Sequence, residues 1–418
     1  MILSLYDVAA SASRALAWVW AAWASRSAAG AREWDERLVR ILPAVPPGSI
    51  WIHGASLGEA RLSAILAGEL RARLPGTAVV VSALTPAGRA ALPGPPKADA
   101  AFYFPIDARP LQRRLLDALR PSAIVLVETE LWPSLLREAA SARVPVVIAN
   151  ARLSPERMTR YRRLESLYRP LLGGIAAIAA AGEADASRLL ALGAPAARTA
   201  VAGNLKFDLP APTLSRREVR AALGWDASIP VVAAGSTGEG EDGPVLDAFL
   251  RLRTAHPDAR LVLAPRHAER FDAAEREAAS RGLLVHRLSR GERAAPDAAI
   301  LLVDGLGRLA TLYAAADAAF VGGSLVPVGG HNLLEPAAAG VPVLFGPHTH
   351  HVAEMAQVLE AEGAALRVTD AGALGDAWER LIDDPDARAR QAAAAERVME
   401  RHRGALDRTV DRILGVLA

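Results

Sequence analysis

The chain has 418 residues, enough for two ordinary domains with sizeable cores, and no cysteine, which excludes disulfides and thiolate metal sites. Residues 1–210 carry 25 Lys and Arg against 17 Asp and Glu, and residues 211–418 carry 23 against 29; the balances of +8 and −6 sum to the net +2. The basic first half suits an anionic partner. Nucleic acid is not expected, because no basic helix is interleaved with aromatics.

Residues 1–25 are apolar, with Trp18, Trp20 and Trp23 clustered and Arg14 interrupting. The run is too broken for a spanning helix and lacks the basic start and cleavage site of a signal peptide. It reads as an interfacial helix within a membrane-associated segment over 1–40, with Arg26, Arg32 and Arg37 at headgroup level.

Ser49-Ile-Trp-Ile-His53 is a strand, Gly54-Ala-Ser-Leu-Gly-Glu59 a turn, and Ala60–Arg73 has helical periodicity. Further strands are expected at 79–82, 123–127, 144–148 and 200–204, with helices between, for example at 111–119 and 134–142. A further apolar run covers 175–181, and the strand signal after it is weak until 200–204. Alternating strands and helices mean βαβ units and a parallel sheet. Leu209-Pro-Ala-Pro-Thr213 breaks the pattern and opens a linker over 209–228. The second half restarts with strands at 229–234, 260–264, 299–303 and 318–321, and a domain is expected over 229–395. The tail is helical, and a helix over 396–418 is expected to pack back on the first domain, 41–208.

The two halves open alike. Ser56-Leu-Gly-Glu59 follows the first strand of one, and Ser236-Thr-Gly-Glu239 follows that of the other. Two doubly wound halves bind ligands at the carboxyl ends of their strands. Ser-x-x-Glu is also a helix capping box, and a cap fixes where its carboxylate points.

Phe320-Val-Gly-Gly-Ser-Leu-Val-Pro-Val-Gly-Gly-His-Asn-Leu-Leu-Glu-Pro336 reads as a strand, a four-glycine loop, and a helix starting near His331. Free N–H groups at a helix start favour an anion, so this stretch reads as a nucleotide-phosphate pocket, with His331 and Glu335 on one helix face. An ordinary glycine-rich βα loop is the plainer alternative. His348, His350 and His351 lie close together without acidic company, which fits a capping or substrate-contacting role better than a metal site.

Taken together, Trp51–Glu59, Glu128-Thr-Glu-Leu-Trp-Pro133, Asn150-Ala-Arg-Leu-Ser154, Gly203-Asn-Leu-Lys-Phe-Asp208, Pro265-Arg-His267 and Gly322-Gly-Ser…Gly329-Gly-His-Asn-Leu-Leu-Glu-Pro336 resemble the 3-deoxy-D-manno-octulosonic acid (Kdo) transferases of lipopolysaccharide assembly. The motifs stand in that family's order and cover roughly residues 50–350. The resemblance implies an α/β GT-B glycosyltransferase: two Rossmann-like parallel-sheet domains facing a cleft, acceptor domain first, donor domain second, with an N-terminal membrane-associated helix. It implies inverting, metal-independent transfer of Kdo from CMP-Kdo to a lipid A precursor. The location would be the cytoplasmic face of the bacterial inner membrane, with monotopic or peripheral attachment and no cofactor.

By that resemblance Glu59 is the general base; at a helix start its carboxylate is expected to stay ionised. Glu128 and Glu130 read as orienting groups on one side of an extended segment, with a solvated loop pair as the plainer alternative. Donor contacts fall on Ser236, Thr237, Arg266, His267, Leu306, Gly307, Gly322, Gly323, Ser324, Gly329, Gly330, His331, Asn332, Glu335 and Lys206. Acceptor contacts fall on Ser56, Gly58, Arg61 and Arg152. Arg89, Arg157, Arg160, Arg162 and Arg163 are further candidates for anionic headgroups. Two departures lie on the donor side. Gly238 stands where many members of the family carry His, and Arg308 stands in Gly307-Arg-Leu309 where the family has Gly-Glu-Leu. They leave open a GT-B transferase of another CMP- or UDP-sugar. A reading of another class is a non-catalytic glycolipid-binding protein.

Overall fold

The structure, a computed structural model, describes residues 6, 28–209, 212–291, 293–305 and 307–418. Most of the expected interfacial segment, residues 1–5 and 7–27, therefore lies outside the described residues. The chain divides into two compact units: residues up to Asp208 together with Arg403–Ala418, and Leu209–His402.

Unit 1 holds a parallel sheet of β1 (Ile50–His53), β2 (Val79–Ala83), β3 (Ala100–Tyr103), β4 (Ala123–Val127), β5 (Val146–Ala151), β6 (Ala177–Ala180) and β7 (Thr199–Val201). Their spatial order is β3-β2-β1-β4-β5-β6-β7. The apolar runs without polar alternation are explained by burial on both faces. Trp51, Val80, Ile124 and Leu126 face one core cluster, while Ile50, Ile52, Val79, Val81, Val125 and Val127 face another. The helix Ala405–Leu417 sets Val410 and Ile413 into the second cluster. The tail is thus two helices, Pro385–His402 in unit 2 and Ala405–Leu417 in unit 1.

Unit 2 repeats the plan with β8 (Val231–Thr237), β9 (Arg260–Pro265), β10 (Val285–Arg287), β11 (Ile300–Leu302), β12 (Ala318–Val321), β13 (Val343–Phe345) and β14 (Ala365–Arg367). All ladders are parallel, in the order β10-β11-β9-β8-β12-β13-β14.

Each sheet has a central switch point, where the chain returns to the far side of its first strand and loops part to opposite faces; in unit 2 the chain also doubles back at the edge, where β11 lies between β9 and β10. In unit 1 the central switch point lies between β1 and β4, and in unit 2 between β8 and β12. The loops carrying the paired Ser-x-x-Glu motifs and the glycine loop leave from these strands.

Candidate functional site

In unit 1, β1 ends at His53 and the chain turns through Gly54 into the helix Leu57–Arg73. A Cβ at Gly54 would fall 2.7 Å from the backbone of Glu59, so the strand passes beneath the helix start only with glycine there. Ser56 is the N-cap and accepts from the Glu59 N–H. Its hydroxyl donates to Glu59 Oε1 at 2.8 Å, and the Ala55 N–H donates to Oε2 at 2.7 Å. The capping reading and a fixed catalytic carboxylate therefore coexist. Glu59 is only 9% exposed. Gly58 and Arg61 stand exposed on the first turn.

At the end of β4, Glu128 has a left-handed backbone, φ 60°, so the segment is not the extended continuation expected from sequence. Glu128 Oε1 receives Lys206 Nζ at 2.8 Å and Arg152 Nη1 at 3.5 Å. Asn150 Oδ1 accepts from the Leu205 N–H at 2.9 Å, and Asn204 Oδ1 accepts from the Lys206 N–H at 3.0 Å. These bonds fix the loop that presents the ammonium. Lys206 is thus engaged by a carboxylate of its own unit. Glu130 has Arg157 Nη2 at 3.7 Å.

Electrically the three carboxylates divide, two moving up and one down. Burial, then the Glu128 charge, push Glu59 up against its Ser56 and Ala55 hydrogen bonds. The helix start is therefore not the only influence on its proton affinity. Burial and then the Glu59 charge raise Glu130 to about 7, against an opposing Arg157. Burial works on Glu128 too, but Lys206 and Arg152 outweigh it and hold that carboxyl below its ordinary value. Carboxylates with separated proton affinities at a switch point are the raw material of general acid–base chemistry. Arg160, Arg162 and Arg163 lie exposed on the helix Pro155–Arg163, which buries no residue, whereas Arg89 is drawn to Glu36 at 3.6 Å.

In unit 2, Ser236 sits at the end of β8 with φ 55°, and Thr237 behind it is buried. The Thr237 carbonyl accepts from the Arg266 N–H at 3.0 Å, placing Arg266 and His267 at the same edge. Opposite, a Cβ on Gly322 would lie 2.6 Å from Ser236 O and 2.7 Å from Glu241 Oε2, so this crossing requires glycine. Sequence reasoning missed Glu241. It is fully buried, and its Oε2 accepts from Gly238 N–H and Gly323 N–H, both at 2.6 Å. Its Oε1 accepts from Ser324 N–H at 2.9 Å and Leu325 N–H at 2.8 Å. Three N–H groups at the head of the glycine loop, and that of Gly238, are thus held by this internal carboxylate.

The helix expected near His331 begins instead at Leu334 and ends at Ala338. The φ values of 112° and 83° at Gly329 and Gly330 carry the backbone away from helical geometry, so His331 precedes the helix and shares no face with Glu335. Asn332 spans the gap: its Oδ1 accepts from Leu334 N–H at 3.1 Å, and its Nδ2 donates to Glu335 Oε1 at 3.2 Å. His331 is pushed below the ordinary imidazole value by burial and then by Arg266. Gly307 is described, with φ 79°, whereas Leu306 lies outside the described residues. Ser324 is buried, its hydroxyl accepting from Gly346 N–H at 2.8 Å, and so shapes the loop rather than its exposed rim. Among the described residues no group of His, Asp and Glu has the makings of a metal site, and no helix is long and apolar enough to cross a membrane.

The family model described as 3-deoxy-D-manno-octulosonic-acid transferase matches residues 32–209. A Bordetella pertussis protein of that name is 35% identical over 427 residues, covering 97% of each chain. The chain belongs to the Kdo transferase family. A second relative, the Kdo transferase of Haemophilus influenzae, is 33% identical and covers 88% of this chain and 86% of its own length. The fold is shared more widely. HepE of Anabaena in complex with UDP superposes with a TM-score of 0.52 at 17% identity, covering 88% of this chain and 99% of that one. This Kdo transferase family member is accordingly a glycosyltransferase with the two-domain α/β GT-B fold.

Proposed function

We propose that the chain transfers Kdo from CMP-Kdo to a lipid A precursor, with inversion, without a metal, and with Glu59 as general base. The observation that carries this reading is the Glu59 carboxylate, held by two hydrogen bonds at the unit 1 switch point, with its proton affinity raised by burial. A base works best when its pKa approaches the working pH. In the proposed step, an acceptor hydroxyl oxygen attacks the anomeric carbon of Kdo as Glu59 takes the hydroxyl proton. The bond to the CMP phosphate breaks, and its electron pair leaves with CMP. Attack opposite the leaving group inverts the centre.

Glu128 and Glu130 are proposed to orient the acceptor, with Ser56, Gly58, Arg61 and Arg152 around it. Arg266, His267, His331 and the loop of Gly322, Gly323, Gly329, Gly330 and Asn332 are proposed to take the donor, with Ser236, Thr237, Gly307 and Glu335. The proposed location is the cytoplasmic face of the inner membrane, supported by the basic helix Pro155–Arg163, on which Arg160, Arg162 and Arg163 are exposed while Arg157 faces Glu130.

The test is transfer from CMP-Kdo, generated in place because it is labile, to a tetra-acylated lipid A precursor, with products read by mass spectrometry in the presence of a chelator. A mass gain of one or more Kdo units supports the reading. No gain with donor and lipid confirmed refutes it and favours another sugar donor.

A further inference from the structure

The glycine loop of unit 2 has committed its backbone donors before any ligand arrives. Four N–H groups go to Glu241. Those of Gly329 and Gly330 go to Gly323 O at 3.0 and 2.6 Å, and that of His331 goes to Gly322 O at 3.2 Å. An anion at this loop finds these seven N–H groups already engaged, with a carboxylate buried among them, which gives weight to the side chains around it.

The loop after β13 supplies them. The His351 N–H donates to Gly329 O at 2.9 Å and pins the two loops together. A Cβ on Gly329 would lie 2.6 Å from His350 Nε2 and 2.6 Å from His351 Nδ1. Two imidazole nitrogens thus converge on one bare α-carbon, their rings edge to face with centroids 4.4 Å apart. Both histidines are exposed, so a ligand reaches them without opening the fold. His331 lies over Gly323 in the same manner, its ring 2.8 Å from where a Cβ would stand. Arg266 and His267 act on His331 from the loop after β9, His351 from the loop after β13, and Glu241 from below. His348 stands in the same loop as the pair, and Glu335 on the short helix Leu334–Ala338.

We propose that His350 and His351 are phosphate ligands of the donor site, and that together with His331 they take up protons as the phosphate binds. This rests on reading unit 2 as the nucleotide site. Burial first, and then Arg266, His267 and His351, disfavour the charged form of His331, against Glu241. A phosphate oxyanion reverses the local field and favours the charged, doubly donating imidazolium. By linkage, proton uptake on binding makes affinity rise as pH falls.

The experiment is calorimetric titration of the full chain at pH 7 with the 5′-methylphosphate diester of cytidine, in two buffers of different ionisation enthalpy. The diester does not itself titrate near neutrality, so any proton taken up belongs to the protein. We expect uptake of about half a proton or more, and affinity rising about threefold per unit fall in pH. In H350N/H351N the uptake should fall by half or more and affinity by about tenfold, with thermal stability unchanged. If the double variant folds poorly, H350N alone is read by the same criteria. Absence of any binding would overturn the donor-site reading, and this inference with it. Binding without proton uptake would overturn the inference alone. Uptake unchanged in the variants would assign the protons elsewhere and remove His350 and His351 from the site.

Discussion

Replacing Glu241 by glutamine is close to isosteric, yet it is expected to cost nearly as much as alanine. Each carboxylate oxygen accepts two backbone N–H groups, at 2.6 and 2.6 Å on one side and 2.9 and 2.8 Å on the other. Glutamine keeps one accepting oxygen, but its amide nitrogen then confronts two N–H donors across hydrogen-bond distance, whichever way it is flipped. Two charge-assisted bonds are lost at about 1.5–3 kcal/mol each, and two buried donors are left unsatisfied. These terms overlap, and about 3–5 kcal/mol is a reasonable net loss. For a unit of this size that lowers Tm by roughly 6–20 °C. Differential scanning calorimetry measures the shift, and amide exchange should show Gly323, Ser324 and Leu325 deprotected first. A Glu241→Gln chain melting within about 2 °C of the parent would refute the idea that this carboxylate organises the loop.

Glu59→Gln should reduce kcat for Kdo transfer by about 10²–10⁴-fold with little loss of stability, because an amide oxygen still accepts from the Ala55 N–H; a rate within threefold of the parent would remove Glu59 as base. Glu130 is raised to about 7 from the ordinary 4.5, so the folded state holds its proton more tightly than the unfolded state. Its stabilising contribution is full below about pH 4.5 and is lost as pH rises through about 7. Glu130→Gln should therefore gain stability over the parent at pH 8 and not at pH 4, and parallel Tm–pH curves would contradict this. Lys206→Met removes the strongest countercharge on Glu128 and leaves burial dominant, so that carboxyl should move up. The acid limb of the kcat/KM profile should then shift to higher pH; an unmoved limb would mean that Glu128 need not be ionised.

The interior of the fold was legible because both sheets are buried on both faces. Val79–Val81 and Ala123–Val127 can be little else than central strands. The edge and short strands β3, β10 and β14 went unread, because three or four residues with few β-branched side chains give no period. The recognition of Glu59, Glu128 and Glu130 rested on motifs, but their electrical division did not. It depends on Lys206 and Arg152 reaching Glu128 from loops remote in sequence. Glu241 was hidden for the same reason. In a Gly-Glu-Gly-Glu-Asp run it looks like a solvated helix start, and three of its four donors lie more than 80 residues away. The misplaced helix at His331 arose from reading glycines as permissive without knowing which would take positive φ.

The helix Ala405–Leu417 has a consequence for biogenesis. Its Val410 and Ile413 complete the core around Ile50 and Ile52, and Asp208 accepts from the Gly404 and Leu406 N–H groups at 3.0 and 2.7 Å. On a ribosome those closing residues emerge only after the whole of unit 2 has been made. Unit 1, although begun before unit 2, is therefore completed after it, and until then its core around Ile50 and Ile52 is covered by the helix Leu57–Arg73 without Val410 and Ile413. Unit 2, contiguous from Leu209 to His402, carries no such debt.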